Sequence, residues 1–202
     1  MGTEMELPTG RAHPLADALI VVDLQRAFVT GPDAVPEAGA VLDAVSVLLD
    51  RARTAGALVV HLQNDGPPGA VDEPGTPGWP LALRPEPDDT VVRKVSDDGF
   101  AGTELGHLLA AHGVQAVAIC GTQSEMCVGA TARTALASGL RVVLPHDAHG
   151  TYDIPAVDGL AEGVPAAMVS RVAEWALGDA VDIVARAAEV EFRPAARRPG
   201  RP

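Results

Sequence analysis

Aromatic residues are scarce in this chain of 202 residues: three Phe, two Trp and one Tyr make up 3% of it. A core with so few rings has to be aliphatic, and any aromatic side chain beside a cleft becomes a candidate pocket wall. Cysteine is nearly as rare. Cys120 and Cys127 are the only two, which argues against a disulfide framework and for free thiols. Positive charge is also short. Fifteen Lys and Arg stand against 27 Asp and Glu, a formal net charge of -12, so there is no electrostatic footprint for nucleic acid or an anionic membrane. No apolar run approaches the roughly 20 residues of a membrane span, and the opening segment with Glu4 and Glu6 has neither signal-peptide nor transit-peptide character. A cytoplasmic location is expected.

What is present is 47% hydrophobic and 21% charged, the balance of a globular protein. A single domain of this length buries about 70% of its unfolded surface without a disulfide or structural metal. Short Val/Ile/Leu runs alternate with amphipathic stretches, the pattern of βαβ units. Strands are expected at 18–23, 57–62, 90–95, 115–120 and 140–144, with a sixth near 180–184. Helices are expected at 37–54, 103–111, 125–138 and 164–177, stopped by Gly56, Gly113, Gly139 and Gly178 respectively. The fold class that follows is α/β, a doubly wound parallel six-stranded sheet with helices on both faces. The expected organisation is a flexible N-terminal segment (1–17), one domain (18–190) and a disordered Pro/Arg-rich tail (191–202). The Gly/Pro-rich stretch from 65 to 89 has no helical period and is long enough to be a site cover.

In such a sheet, chemistry gathers at the carboxyl ends of the strands. Asp23 closes the first strand, Lys94 lies near the end of the third, and the fourth runs into Gly121-Thr122-Gln123-Ser124-Glu125-Met126-Cys127. A cysteine at a helix N-terminus with a lysine nearby is expected to have a lowered pKa. A carboxylate beside it accepts the thiol proton and later returns one to the leaving group. Singly, each residue has an ordinary reading: a buried thiol, a capping Asp, a solvated Lys. Their convergence on one sheet edge favours the chemical one.

The segments LIVVDLQRAF (19–28), Arg93-Lys94 followed by GFAGTEL (99–105), and GTQSEMCVGATA (121–132) resemble, in order, the motifs of the isochorismatase-like cysteine hydrolases. DAHGTYD (147–153) resembles that family's DA-x-x-T stretch, and the resemblance spans about 18–182. It implies a catalytic triad of Asp23, Lys94 and Cys127, a cis Thr122–Gln123 peptide, and an oxyanion hole from the backbone N–H groups of Gln123 and Cys127. The implied reaction is cleavage of a C–N bond in a small amide, ureido, carbamoyl or lactam substrate through a thioester. Relatives that cleave a vinyl ether do so without the cysteine; a vinyl-ether hydrolase and a non-catalytic scaffold on the same fold are the alternatives. The family usually forms homo-oligomers, so a dimer or tetramer is expected.

Candidate substrate-binding residues are Phe28, Gln63, Trp79, Phe100 and Tyr152, with Asn64 beside them. No metal and no cofactor are expected. Some relatives, the nicotinamidases, hold a divalent metal through an Asp-x-His pair and a further His after the second strand. Here that place reads His61-Leu62-Gln63-Asn64-Asp65. His146 and His149, three apart after a strand, lack a third ligand at a recognisable spacing and read as a loop of hydrogen-bonding histidines.

Overall fold

A computed structural model describes residues 14–195. In chain order its strands are β1 (Leu15–Ala16), β2 (Ala18–Val22), β3 (Leu58–Asn64), β4 (Thr90–Lys94), β5 (Ala116–Thr122), β6 (Arg141–Pro145), β7 (His149–Gly150), β8 (Val181–Val184) and β9 (Glu191–Phe192). The α-helices are α1 (Arg26–Val29), α2 (Ala38–Ala55), α3 (Leu105–Ala111), α4 (Gly129–Ala137) and α5 (Ala166–Trp175).

The main sheet runs β4-β3-β2-β5-β6-β8, every pair parallel. Both middle strands, β2 and β5, are buried at every position, as parallel strands covered on two faces must be. Successive residues of β2 feed opposite layers. Leu19 and Val21 join Val41, Val45, Leu48 and Leu49 of α2. Ala18, Ile20 and Val22 join Leu105 and Leu109 of α3 and Ala132 and Ala135 of α4. The period of two in the strand and the 3.6-residue stripe in each helix thus build one core on each side. Gly56 ends α2 in the left-handed region at φ 70, its N–H donating to the carbonyls of Ala52 and Arg53, a cap that favours glycine.

The six expected strands form the main path, and a seventh joins them. β5 pairs with β6 only through Ala118, so Gly121 and Thr122 pair instead with His149 and Gly150 after a short 3-10 turn. The expected boundaries at 18 and 190 move outward. β1 and β9 form a parallel pair of their own, and Arg193 forms an ion pair with the buried Asp17, whose carboxylate also accepts the N–H groups of Gln115 and Ala116. Residues 14–17 and 191–195 are therefore structured parts of the domain; 1–13 and 196–202 lie outside the described residues. The helix expected over 125–138 is a π-turn, Ser124–Val128, followed by α4.

Candidate active site

The order of the main sheet reverses between β2 and β5, and three candidate residues meet at the carboxyl ends beside that reversal. Asp23 follows β2 directly with φ 44. Its N–H donates to the Leu62 carbonyl, and its own carbonyl accepts from Thr122 Oγ1 at 2.8 Å. Such a left-handed turn in a non-glycine residue is held only where neighbours over-determine it. The neighbouring strand contributes Gly121 at φ 116, where a Cβ would lie 2.0 Å from the Val22 carbonyl oxygen. The ends of β2 and β5 therefore touch through bare backbone.

Lys94 closes β4, and its ammonium is the hub. It donates to Asp23 Oδ2 at 2.7 Å, the Ser96 carbonyl at 3.0 Å, Asn64 Oδ1 at 3.4 Å and Cys127 Sγ at 3.4 Å. It is also the only lysine in the chain. Cys127 sits in the π-turn after the cis Thr122–Gln123 peptide; its thiol also lies 3.6 Å from Asp97 Oδ1. The second carboxylate oxygen of Asp23, Oδ1, is buried without a hydrogen-bond partner among the described residues, an open acceptor beside the lysine and thiol.

Burial pushes the Asp23 carboxyl up to about 6, against the opposing pull of Lys94. Lys94 is raised despite the penalty of burial, because Asp23 and Cys127 favour its charged form. The Cys127 thiol is pushed up, by burial first and then by the Asp23 charge, with Lys94 pulling the other way. The lowered thiol pKa expected at a helix N-terminus does not hold. Cys127 precedes α4 inside a separate turn, and the lysine is already paired with a carboxylate. At neutral pH the group is an ion pair beside a neutral thiol, so any chemistry at this sulfur requires an acceptor for its proton.

The 65–89 segment, expected as a structureless cover, is a run of turns fastened to its own chain. Gln25, fully buried, donates to the carbonyls of Asn64 and Trp79 and accepts the Asn64 N–H. Asp72 from this segment accepts Asn64 Nδ2 at 2.7 Å, so the cover reaches the lysine through one asparagine. Gln63 is buried and donates to the Trp79 carbonyl, while the Trp79 indole donates to Asp65 and lies under Arg93 at 5.0 Å. Phe100 rests on the same apolar cluster as Cys127. Phe28 and Tyr152 rest on the other cluster, and the Tyr152 hydroxyl donates to the Asp33 carbonyl. The structure thus unites the triad, sets Phe100 on its layer and ties Gln63 and Trp79 to each other. Its contacts for Phe28 and Tyr152 are with the α2 side. Asp97 and Asp72 were not anticipated; Asp97 lies three residues past Lys94, and that spacing was the available signal.

At the end of β3, the region where nicotinamidases carry their metal ligands, Gln63 and Asn64 are amides already bonded within the fold. His61 is buried and paired with Asp89, which also binds Arg53. That donor set does not fit the metal of those relatives.

The chain matches the isochorismatase domain family over residues 17–174. It is 62% identical over 199 residues to a streptothricin hydrolase of Streptomyces noursei, spanning 98% of this chain and 79% of that protein. It is 68% identical over 177 residues to a second streptothricin hydrolase of the same organism, spanning 87% of this chain and 64% of that protein. Among solved structures, an isochorismatase from Pseudomonas putida KT2440 superposes with a TM-score of 0.79 at 26% identity, covering 92% of this chain and 94% of that one. The chain belongs to the isochorismatase family, among its hydrolases of amide-type carbon–nitrogen bonds.

Proposed function

We propose that the chain opens the cyclic amide of a streptothricin-type antibiotic, with Cys127 as nucleophile, Asp23 as general base and acid, and Lys94 holding the carboxylate and the thiol in register. The observation that carries the chemistry is the ammonium of Lys94 bonded at once to Asp23 Oδ2 and Cys127 Sγ. The similarity to streptothricin hydrolases carries the substrate. As Cys127 attacks the carbonyl carbon, its proton passes to Asp23 and the oxyanion is received by the backbone N–H groups of Gln123 and Cys127. Collapse breaks the C–N bond, and Asp23 returns the proton to the departing nitrogen. Water, deprotonated by Asp23, then hydrolyses the thioester. Trp79 and Phe100 serve as pocket walls in this reading, with Phe28, Gln63 and Tyr152 as further substrate contacts.

A ring opened at its amide keeps both fragments. Incubation with a streptothricin is therefore expected to give a single product heavier by one water, without ammonia, in liquid chromatography with mass detection. Release of ammonia, or no turnover of the lactam alongside turnover of a primary amide or ureido acid, would reassign the substrate.

The pH dependence follows from Asp23. Its carboxyl, raised to about 6 by burial, must be ionised to accept the thiol proton. Activity is thus lost as pH falls through that value. In the free enzyme kcat/KM is expected to drop about tenfold per pH unit below an apparent pKa near 6. An acid limb placed near 4 would remove Asp23 from the role of base.

The reading includes a homo-oligomer, dimer or tetramer, in the cytoplasm. It is supported by an exposed apolar stripe on α5, Met168, Val172 and Trp175, at the i, i+4, i+7 spacing of one helix face. No helix among the described residues is long and apolar enough to cross a membrane.

A further inference from the structure

Ser124 opens the turn that carries Cys127, and a cluster unused by the triad chemistry stands behind it. His146 opens the short 3-10 turn after β6, His149 follows it, and Glu174 comes in from α5. Sequence spacing offered two ligands here; the fold adds the third. Glu174 Oε1 lies 2.5 Å from His146 Nδ1 and 3.1 Å from His149 Nε2, and the donor atoms of all three residues lie within 4.8 Å of one another.

The outer partners are also in place. Metal-ligating histidines commonly donate their other ring nitrogen to a fixed acceptor, and ligating carboxylates are themselves hydrogen-bonded. His149 Nδ1 lies 2.8 Å from Ser124 Oγ, which is 2.9 Å from Ser170 Oγ, and Glu174 Oε2 accepts from Arg171 at 3.2 Å. His146 and His149 also line a cavity of about 240 Å³ together with Asp147, Thr151 and Ser170, separate from the triad. The cavity leaves open space for a water or a small ligand beside the two imidazoles, while Glu174 lies outside its lining.

We infer that His146, His149 and Glu174 form a site for one divalent transition cation, with Zn²⁺ the best match to two imidazoles and one carboxylate. A tetrahedral ion with bonds of about 2.0–2.1 Å sets neighbouring donors about 3.3 Å apart. His149 and Glu174 already stand near that separation. His146, whose side chain is half exposed, has the freedom to back away. Through the His149–Ser124 bond the ion braces the first residue of the nucleophile turn.

The test is calorimetric titration of chelator-stripped protein with ZnCl₂, in the wild type and in Cys127→Ser, which removes the competing thiol. One Zn²⁺ per chain is expected in both. Outer partners alone are worth about 10–100-fold in affinity, so His146→Ala and Glu174→Gln are each expected to weaken binding by at least about 100-fold, with circular dichroism checking the fold. Co²⁺ in place of Zn²⁺ should show visible tetrahedral bands without a sulfur charge-transfer band. Absence of binding tighter than about 1 mM, binding indifferent to His146→Ala, or binding lost in Cys127→Ser would each overturn the assignment. Because the readout is binding, failure of the proposed amide chemistry leaves it standing.

Discussion

Replacing Cys127 with alanine is expected to lower kcat/KM by at least about 10⁴-fold while leaving the fold intact. The size follows from the role. A nucleophile that forms the covalent intermediate has no substitute, and removing one member of a cooperating set costs nearly as much as removing all of it. Adding Asp23→Asn to Cys127→Ala should therefore cost little more than the single change. Steady-state kinetics on the opened amide gives the magnitude, and intact-protein mass spectrometry after rapid quenching should find an acyl adduct on the wild type alone. Cys120 supplies the control. It is fully buried in β5, its thiol is pushed up by burial, and its sulfur lies 3.7 Å from the Ile20 carbonyl. Cys120→Ala should then leave the chemistry unchanged and cost only packing. Activity surviving in Cys127→Ala would move the vinyl-ether alternative ahead of the amide chemistry.

The second large effect is on stability. Gly121→Ala is expected to destabilise the protein by more than about 4 kcal/mol, the range reserved for severe core disruption. Two independent causes meet at this position. Its φ of 116 is a conformation L residues rarely adopt, and the new Cβ would sit 2.0 Å from the Val22 carbonyl oxygen and 2.8 Å from the Val22 nitrogen. Backbone in the middle of a six-strand path has nowhere to retreat, because β2 is paired on both sides. Gly102 separates the causes: it also has positive φ, at 69, but open space around it. Gly102→Ala should cost only the conformational term, about 1–2 kcal/mol. Urea unfolding of the two variants measures the difference; equal losses would mean that the β2–β5 contact is not as tight as the structure shows.

The parts that the sequence announces are those governed by local periodicity. The strands of the main path and the four longer helices were legible because Val/Ile/Leu runs and the α2 stripe, Val41, Val45, Leu48 and Leu49, declare what each segment buries. The short α1, the two-residue strands β1, β7 and β9, and the π-turn were not. Each is fixed by partners far along the chain, as in the pairing of Leu15 with Glu191. For the site, Asp23, Lys94 and Cys127 were readable from three motifs, and the lysine had a further signal in being the only one present. The direction of the Cys127 pKa was not readable. It depends on burial and on which partner Lys94 satisfies first, and neither appears in a helix-terminus rule. Glu174 was equally hidden, since 28 residues separate it from His146 and nothing in a helical glutamate says which loop its α5 will meet.

The pairing of β2 with β5 joins Ala18 to Val117 and Val22 to Gly121, which makes it one of the most non-local contacts in the sheet. Closing so long a span carries a loop entropy that is recovered only when both strands are buried. Asp23 lies at the end of one of these strands and the turn bearing Cys127 at the end of the other. The pairing that completes the sheet's centre is therefore also the one that brings the thiol-bearing turn beside the carboxylate. A ribosome-bound chain that has not yet released β5 has a carboxylate and, from β4, an ammonium, but no nucleophile held against them.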